Sequence, residues 1–125
     1  MGQVIFSTKV TSLGPLVPEF IKEKILVFFQ EGAPPELMEI SVLHQPEILT
    51  GEVKPGDILL INNHSFKITA VGEIANANLK HLGHLVIKFN ARTFPELPGD
   101  VCVEEKEIPP LFPGTLVQII GQGRN

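Results

Sequence analysis

Four histidines, His44, His64, His81 and His84, are the side chains of this chain best suited to chemistry near neutral pH. His44 raises the sharpest question. An apolar run, Ile-Ser-Val-Leu, leads into it from position 40, and Pro46 follows two residues later. Read with a period of two, Ile40, Val42 and His44 share one face of a strand. Three chemistries are open to the ring. It can be a core imidazole satisfied by hydrogen bonds. It can complete a metal site with His81 and His84, whose spacing resembles that of zinc ligands, with His64 as another candidate third ligand. It can also be a nucleophile toward phosphorus, since an imidazole with a pKa of ~6.5 is largely unprotonated near pH 7. That last role needs a donor to orient the second ring nitrogen, polar groups to spread charge on the phosphoryl oxygens, and an apolar collar. His64, His84, Thr69 and Asn78 are candidate donors. Pattern alone leaves the three readings open.

The elements that must hold these residues read as strands. Short runs rich in Val, Ile and Phe, separated by Pro and Gly, predict an all-β barrel or sandwich. The runs are 4–10, 25–29, 40–44, 58–61, 66–71, 85–89, 101–103 and 116–120. Pro55-Gly56, Pro98-Gly99 and Pro113-Gly114 each precede a run. Proline pre-sets the first central position of a type II turn, and glycine supplies the positive φ of the second. Asn62-Asn63 predicts a tight hairpin. One helix is expected over about 74–82, with Gly83 to end it. That stop falls between His81 and His84 and weakens the metal reading, as does the lack of an Asp or Cys cluster beside them. A shorter turn is expected from Pro34-Pro35 through Met38, and Pro15 to Pro18 reads as a loop. In this scheme His44 closes its strand, and Pro46, which cannot continue a central ladder, leaves the ring at the rim.

Composition narrows the functions. The 125 residues suit a single domain spanning 1–125. A formal charge of −4 with acids and bases mixed gives no basic stripe for nucleic acid and better suits a basic protein partner. Cys102 is the one cysteine; it precludes an internal disulfide and, flanked by Val101 and Val103, reads as a buried thiol. No apolar run approaches the ~20 residues of a membrane helix, and no signal-peptide pattern is present, so membrane insertion is not expected and the cytoplasm is. Phosphate-cradling glycine loops are also missing: Gly121-Gln122-Gly123 has no helix after it.

Three blocks then add a resemblance. Ile-Leu-Val-Phe-Phe-Gln-Glu-Gly-Ala-Pro-Pro-Glu-Leu (25–37) with Val-Leu-His (42–44) is the first. The second is Ile-Thr-Ala-Val-Gly (68–72) followed by Asn-Leu-Lys-His-Leu-Gly-His (78–84). The third is Phe-Pro-Glu-Leu-Pro-Gly (94–99). Together, in this order, they resemble the glucitol/sorbitol-specific enzyme IIA component of the bacterial sugar phosphotransferase system, over about residues 4–120. The resemblance implies a phosphotransferase acting as a phosphocarrier, with His44 as the phosphorylated nucleophile. The donor would be the histidine-containing phosphocarrier protein, and the acceptor the IIB domain of a sugar permease. It implies possible supporting roles for His64 and His84, none for His81, and no metal or diffusible cofactor. Similar proteins carry a second histidine shortly after the active one; Pro46 stands there here, so the resemblance supplies no neighbouring helper. Glu31, Glu36 and Glu39 lie near the site in sequence and suit a basic donor. A homo-oligomer is left open, as is a rival role as a non-catalytic β-barrel binding or regulatory module.

Overall fold

A computed structural model describes residues 2–122; Met1 and residues 123–125, including the Gly123 of the C-terminal glycine pair, lie outside the described part. The described residues form eight strands and three short helices. In order these are β1 (Gln3–Leu13), α1 (Val17–Lys22), β2 (Ile25–Gln30), α2 (Pro35–Met38), β3 (Val42–Leu49) and β4 (Ile58–Ile61). There follow β5 (His64–Val71), α3 (Ala75–Leu82), β6 (Leu85–Lys88), β7 (Asp100–Val103) and β8 (Leu116–Gly121). The strands close into a barrel in the order β1-β3-β2-β6-β7-β5-β4-β8, with β8 returning to β1. Two of the pairings, β2 with β3 and β6 with β7, are parallel. No helix among the described residues is long and apolar enough to cross a membrane.

Alternation along each strand puts one set of side chains inside the ring. Phe6, Val10, Leu26, Phe28, Val42, Leu59, Ile61, Phe66, Ile68, Val117 and Ile119 belong to that interior cluster. A smaller cluster of Phe29, Ala33 and Leu43 lies apart from it, with Leu37 of α2 packed against it. Burying each large apolar side chain contributes about 1.5–3 kcal/mol, so the interior is where the stability resides.

Two of the three Pro-Gly pairs turn as expected, whereas Gly99 after Pro98 does not take the positive φ of a type II turn. Gly56 and Gly114 take φ of +96° and +95°, the left-handed conformations expected after Pro55 and Pro113. Asn62 takes φ +51° in the β4–β5 hairpin. All eight expected strands are present, and the barrel alternative is the one adopted.

Two further expectations are corrected. Residues 15–18 are not simply loop: α1 begins at Val17, with a proline in its first turn where no N–H is missed, Glu19 near its N-terminus and Lys22 in its last turn. Six residues are too few to show a helical period, which leaves the two prolines as the dominant local signal. Nor does β3 stop at His44; it runs to Leu49. Pairing of β3 with β2 ends at the Gln30–His44 register. Beyond it, among the described residues, β3 pairs only with β1, where Pro46 stands opposite Thr8 at a break in register. An edge beside a bulge is where a sheet accepts proline. Pro46 therefore ends one ladder and leaves the other intact.

Candidate functional site

The ring of His44 sits at the point where three elements meet: β1, the end of β2, and the turn from α3 into β6. Val42 and His44 do share a face, and that face is the barrel interior. The expected rim position is not found. His44 is 0 % exposed, because β3 continues past it and the ring points inward rather than off a strand end. Phe6 and Phe28 present edges to it, with centroids 6.0 and 5.9 Å away and interplanar angles of 85° and 73°. They form the apolar collar.

Both ring nitrogens are bonded. Nδ1 lies 2.8 Å from the hydroxyl of Thr8, which is itself 0 % exposed. Nε2 lies 2.7 Å from the carbonyl oxygen of Gly83. A carbonyl only accepts, so Nε2 carries the ring proton and the Thr8 hydroxyl donates to Nδ1. Burial holds the imidazole below the ordinary histidine value, against the opposing pull of the Gly83 carbonyl. The resting ring is neutral.

Gly83 reaches this position through its backbone. At φ +60° it caps α3, and the N–H groups of Gly83 and His84 take the carbonyls of Leu79 and Asn78 at 3.0 and 3.2 Å. The turn aims the carbonyl of Gly83 at His44. There is no room for a side chain: a Cβ here would lie 2.8 Å from Cβ of Gln30 and 3.2 Å from Cε1 of His44.

His84 follows directly. Its Nδ1–H donates to the carbonyl of Phe28 at 3.1 Å, and its ring lies against Phe29, centroids 5.1 Å apart. That bond and the ring contact fix the orientation of the imidazole. Glu31 is also adjacent, its N–H bonded to the carbonyl of His44 at 2.9 Å.

The other candidates lie elsewhere. His64 starts β5, four strands from β3 around the eight-stranded ring, and is exposed. Thr69 donates to the carbonyls of Arg92 and Cys102, on that same far wall. His81 is exposed at the end of α3 and lines a surface cavity with Lys54, Glu73 and Lys80. Among the described residues no three His, Cys, Asp or Glu side chains are grouped to hold a metal ion. Asn78 contributes its carbonyl to the cap of α3 rather than a side chain to His44.

Two participants escaped the sequence reading: Thr8 and the carbonyl of Gly83. Thr8 had a signal. Phe6, Thr8 and Val10 fall on one face, and a threonine between two core residues needs a buried partner.

Comparison with known proteins adds a family. The family model described as "PTS system glucitol/sorbitol-specific IIA component" matches residues 5–118. Two curated proteins, from Shigella flexneri and Escherichia coli (strain K12), carry the name "PTS system glucitol/sorbitol-specific EIIA component". Each is 32% identical over 115 residues, covering 92% of this chain and 94% of its own. A solved structure of a PTS system IIA component from Enterococcus faecalis V583 superposes with a TM-score of 0.78. It is 24% identical, covers 89% of this chain and 96% of its own, and bears on the fold alone.

Proposed function

The chain belongs to the glucitol/sorbitol-specific IIA component family of the PTS, and on that premise we propose that it carries a phosphoryl group on His44. In this reading it acts in the cytoplasm as a phosphotransferase: it takes the group from the histidine-containing phosphocarrier protein and hands it to the IIB domain of a glucitol/sorbitol permease.

The observation that carries the proposal is the setting of His44: a neutral ring, oriented from both nitrogens, inside an aromatic collar. Neutrality supplies the lone pair, orientation removes the entropy of positioning, and the collar excludes water from a labile phosphoramidate. The two sides of the ring are not equally accessible. Nδ1 faces β1, which is hydrogen-bonded to both β3 and β8, so reaching it means unzipping the barrel. Nε2 faces the two-residue connection of α3 to β6. Displacing that turn uncovers Nε2 and leaves the strands paired.

The transfer is then an in-line exchange. Once the ring hydrogen has moved from Nε2 to Nδ1, the lone pair of Nε2 forms a bond to phosphorus as the N–P bond of the donor breaks and its electron pair returns to the donor imidazole. In the second half a thiolate of the IIB domain attacks the same phosphorus and Nε2 leaves. His84, its ring held by the Phe28 carbonyl beside the Gly83 turn, supports the phosphoryl group next to Nε2. Glu31, Glu36 and Glu39 favour approach of a basic donor. His64 receives no part, given its place on the opposite wall.

One observation favours the rival, a non-catalytic barrel module: His44 is wholly buried and fully bonded, as a structural histidine would be. Phosphorylation decides. The protein is incubated with the general phosphotransferase proteins and labelled phosphoenolpyruvate, beside a His44→Ala variant. The carrier reading expects an acid-labile, base-stable label that is absent from the variant. A label that survives the substitution removes His44 from the role, and no label on wild type with competent donors supports the module.

A further inference from the structure

Thr8 differs from Gly83, the other hydrogen-bonding neighbour of the ring, in that its hydroxyl can either donate or accept. With the site closed it must donate, because the Gly83 carbonyl already requires the ring proton on Nε2. Attack on phosphorus needs the reverse arrangement, with a lone pair on Nε2 and the proton on Nδ1. A fixed donor opposite Nδ1, such as a backbone N–H, would then meet Nδ1–H head-on and oppose the reactive tautomer. A hydroxyl turns about its C–O bond and accepts instead. The position is also rigid: Thr8 is 0 % exposed on β1, whose register on one side shifts between Ser7 and Thr8 and whose other side pairs with β8. Oγ1 therefore cannot drift away while the ring changes state.

We infer that Thr8 is a positioning residue serving both tautomers of His44, donating to Nδ1 while Gly83 covers the ring and accepting from Nδ1–H while Nε2 reacts. The inference rests on His44 being the carrier. The protons balance. When the Gly83 turn lifts, the ring swings into the opening and exchanges hydrogens with the admitted water: Nε2 gives one up, Nδ1 takes one, and the ring returns to Thr8 still neutral. The Nε2–P bond forms as the donor's N–P bond breaks, and the hydrogen on Nδ1 stays, bonded to Oγ1 of Thr8. The positive charge that phosphorylation places on the ring lies beside the negative phosphoryl group.

The test reads the ring directly. Histidine nitrogens are labelled with the heavier stable isotope, and the NMR signals of His44 are recorded before and after phosphorylation in wild type, Thr8→Ser and Thr8→Val. Expected before transfer is a proton on Nε2 and none on Nδ1; expected after it is a slowly exchanging proton on Nδ1. Thr8→Ser keeps both patterns and restores the rate. Thr8→Val, similar in shape but without the hydroxyl, lowers kcat about ten- to a hundredfold with KM for the donor protein unchanged. Thr8→Val turning over at the wild-type rate would overturn the inference, as would a phosphorylated wild type with a bare Nδ1. The wild-type spectra decide the matter even if Thr8→Val does not fold. Label surviving in His44→Ala would instead sink the carrier reading, whatever Thr8 does.

Discussion

Gly83 and His44, thirty-nine positions apart, are fitted to each other twice: the Gly83 carbonyl binds Nε2 at 2.7 Å, and its missing side chain leaves space for Cε1. Gly83→Ala therefore meets two penalties. The left-handed φ costs about 1–2 kcal/mol for a residue with a Cβ, and the contacts with Gln30 and His44 add to it. Gly56→Ala is the control, since φ there is +96° but nothing lies within 4 Å of the added atom. Urea unfolding is expected to show the larger loss at position 83. Equal losses would mean that the turn yields without disturbing His44.

Burial of His44 makes acid destabilising. The folded-state pKa lies below the ordinary value, so below about pH 6.5 the unfolded chain takes up a proton that the folded chain refuses. Stability thus falls as pH falls, by up to about 1.4 kcal/mol per unit from this one group. Chemical unfolding from pH 7.5 to 5 is expected to be flatter for His44→Gln than for wild type. Identical slopes would show that the imidazole is not the group responsible.

His84 and His64 are separated by function, although both are histidines of the same barrel. His84→Ala removes a ring fixed to the Phe28 carbonyl beside the Gly83 turn, and phosphoryl transfer is expected to slow about tenfold or more. The label should still reach one per chain, because the nucleophile is intact. His64→Ala, on the opposite wall, should match wild type. Rapid-quench phosphorylation of the two variants checks this, and the reverse ranking would displace His84 from the site.

Cys102 is 0 % exposed, and burial, helped by the charge of Asp100, pushes its thiol up from the ordinary cysteine value. The native protein should resist alkylation at pH 8 and react fully only once unfolded. Fast modification of folded protein would contradict the closed wall at β7.

Much of this architecture was legible because strand signals are local. Val, Ile and Phe alternate, and Pro-Gly or Asn-Asn pairs punctuate them, so eight strands and the α3 stop at Gly83 follow from neighbours in sequence. What escaped depends on partners distant in sequence. Pro46 is a stop for pairing with β2 but not with β1, and only the register reveals which. The same continuation turns His44 inward, where a strand-end reading placed it at the rim. Thr8 could be suspected as a polar residue between Phe6 and Val10, yet nothing local names His44 as its partner. The Gly83 carbonyl carries no side-chain signature at all. His64 illustrates the converse: a residue of the right type, close in sequence to a hairpin, that topology carries to the far wall.

The closure of the ring sets the order in which the site can come into being. Thr8 belongs to β1, and β1 is held on one flank by β3 and on the other by β8, the last strand of the barrel. Until residues 116–121 have emerged from the ribosome, β1 and β4 keep raw edges and Thr8 has no fixed place. Pairing the first strand with the last closes the longest loop in the barrel, a contact whose entropy cost rises with sequence separation. The wall that holds Thr8 against His44 is therefore complete only once the last strand has joined the first.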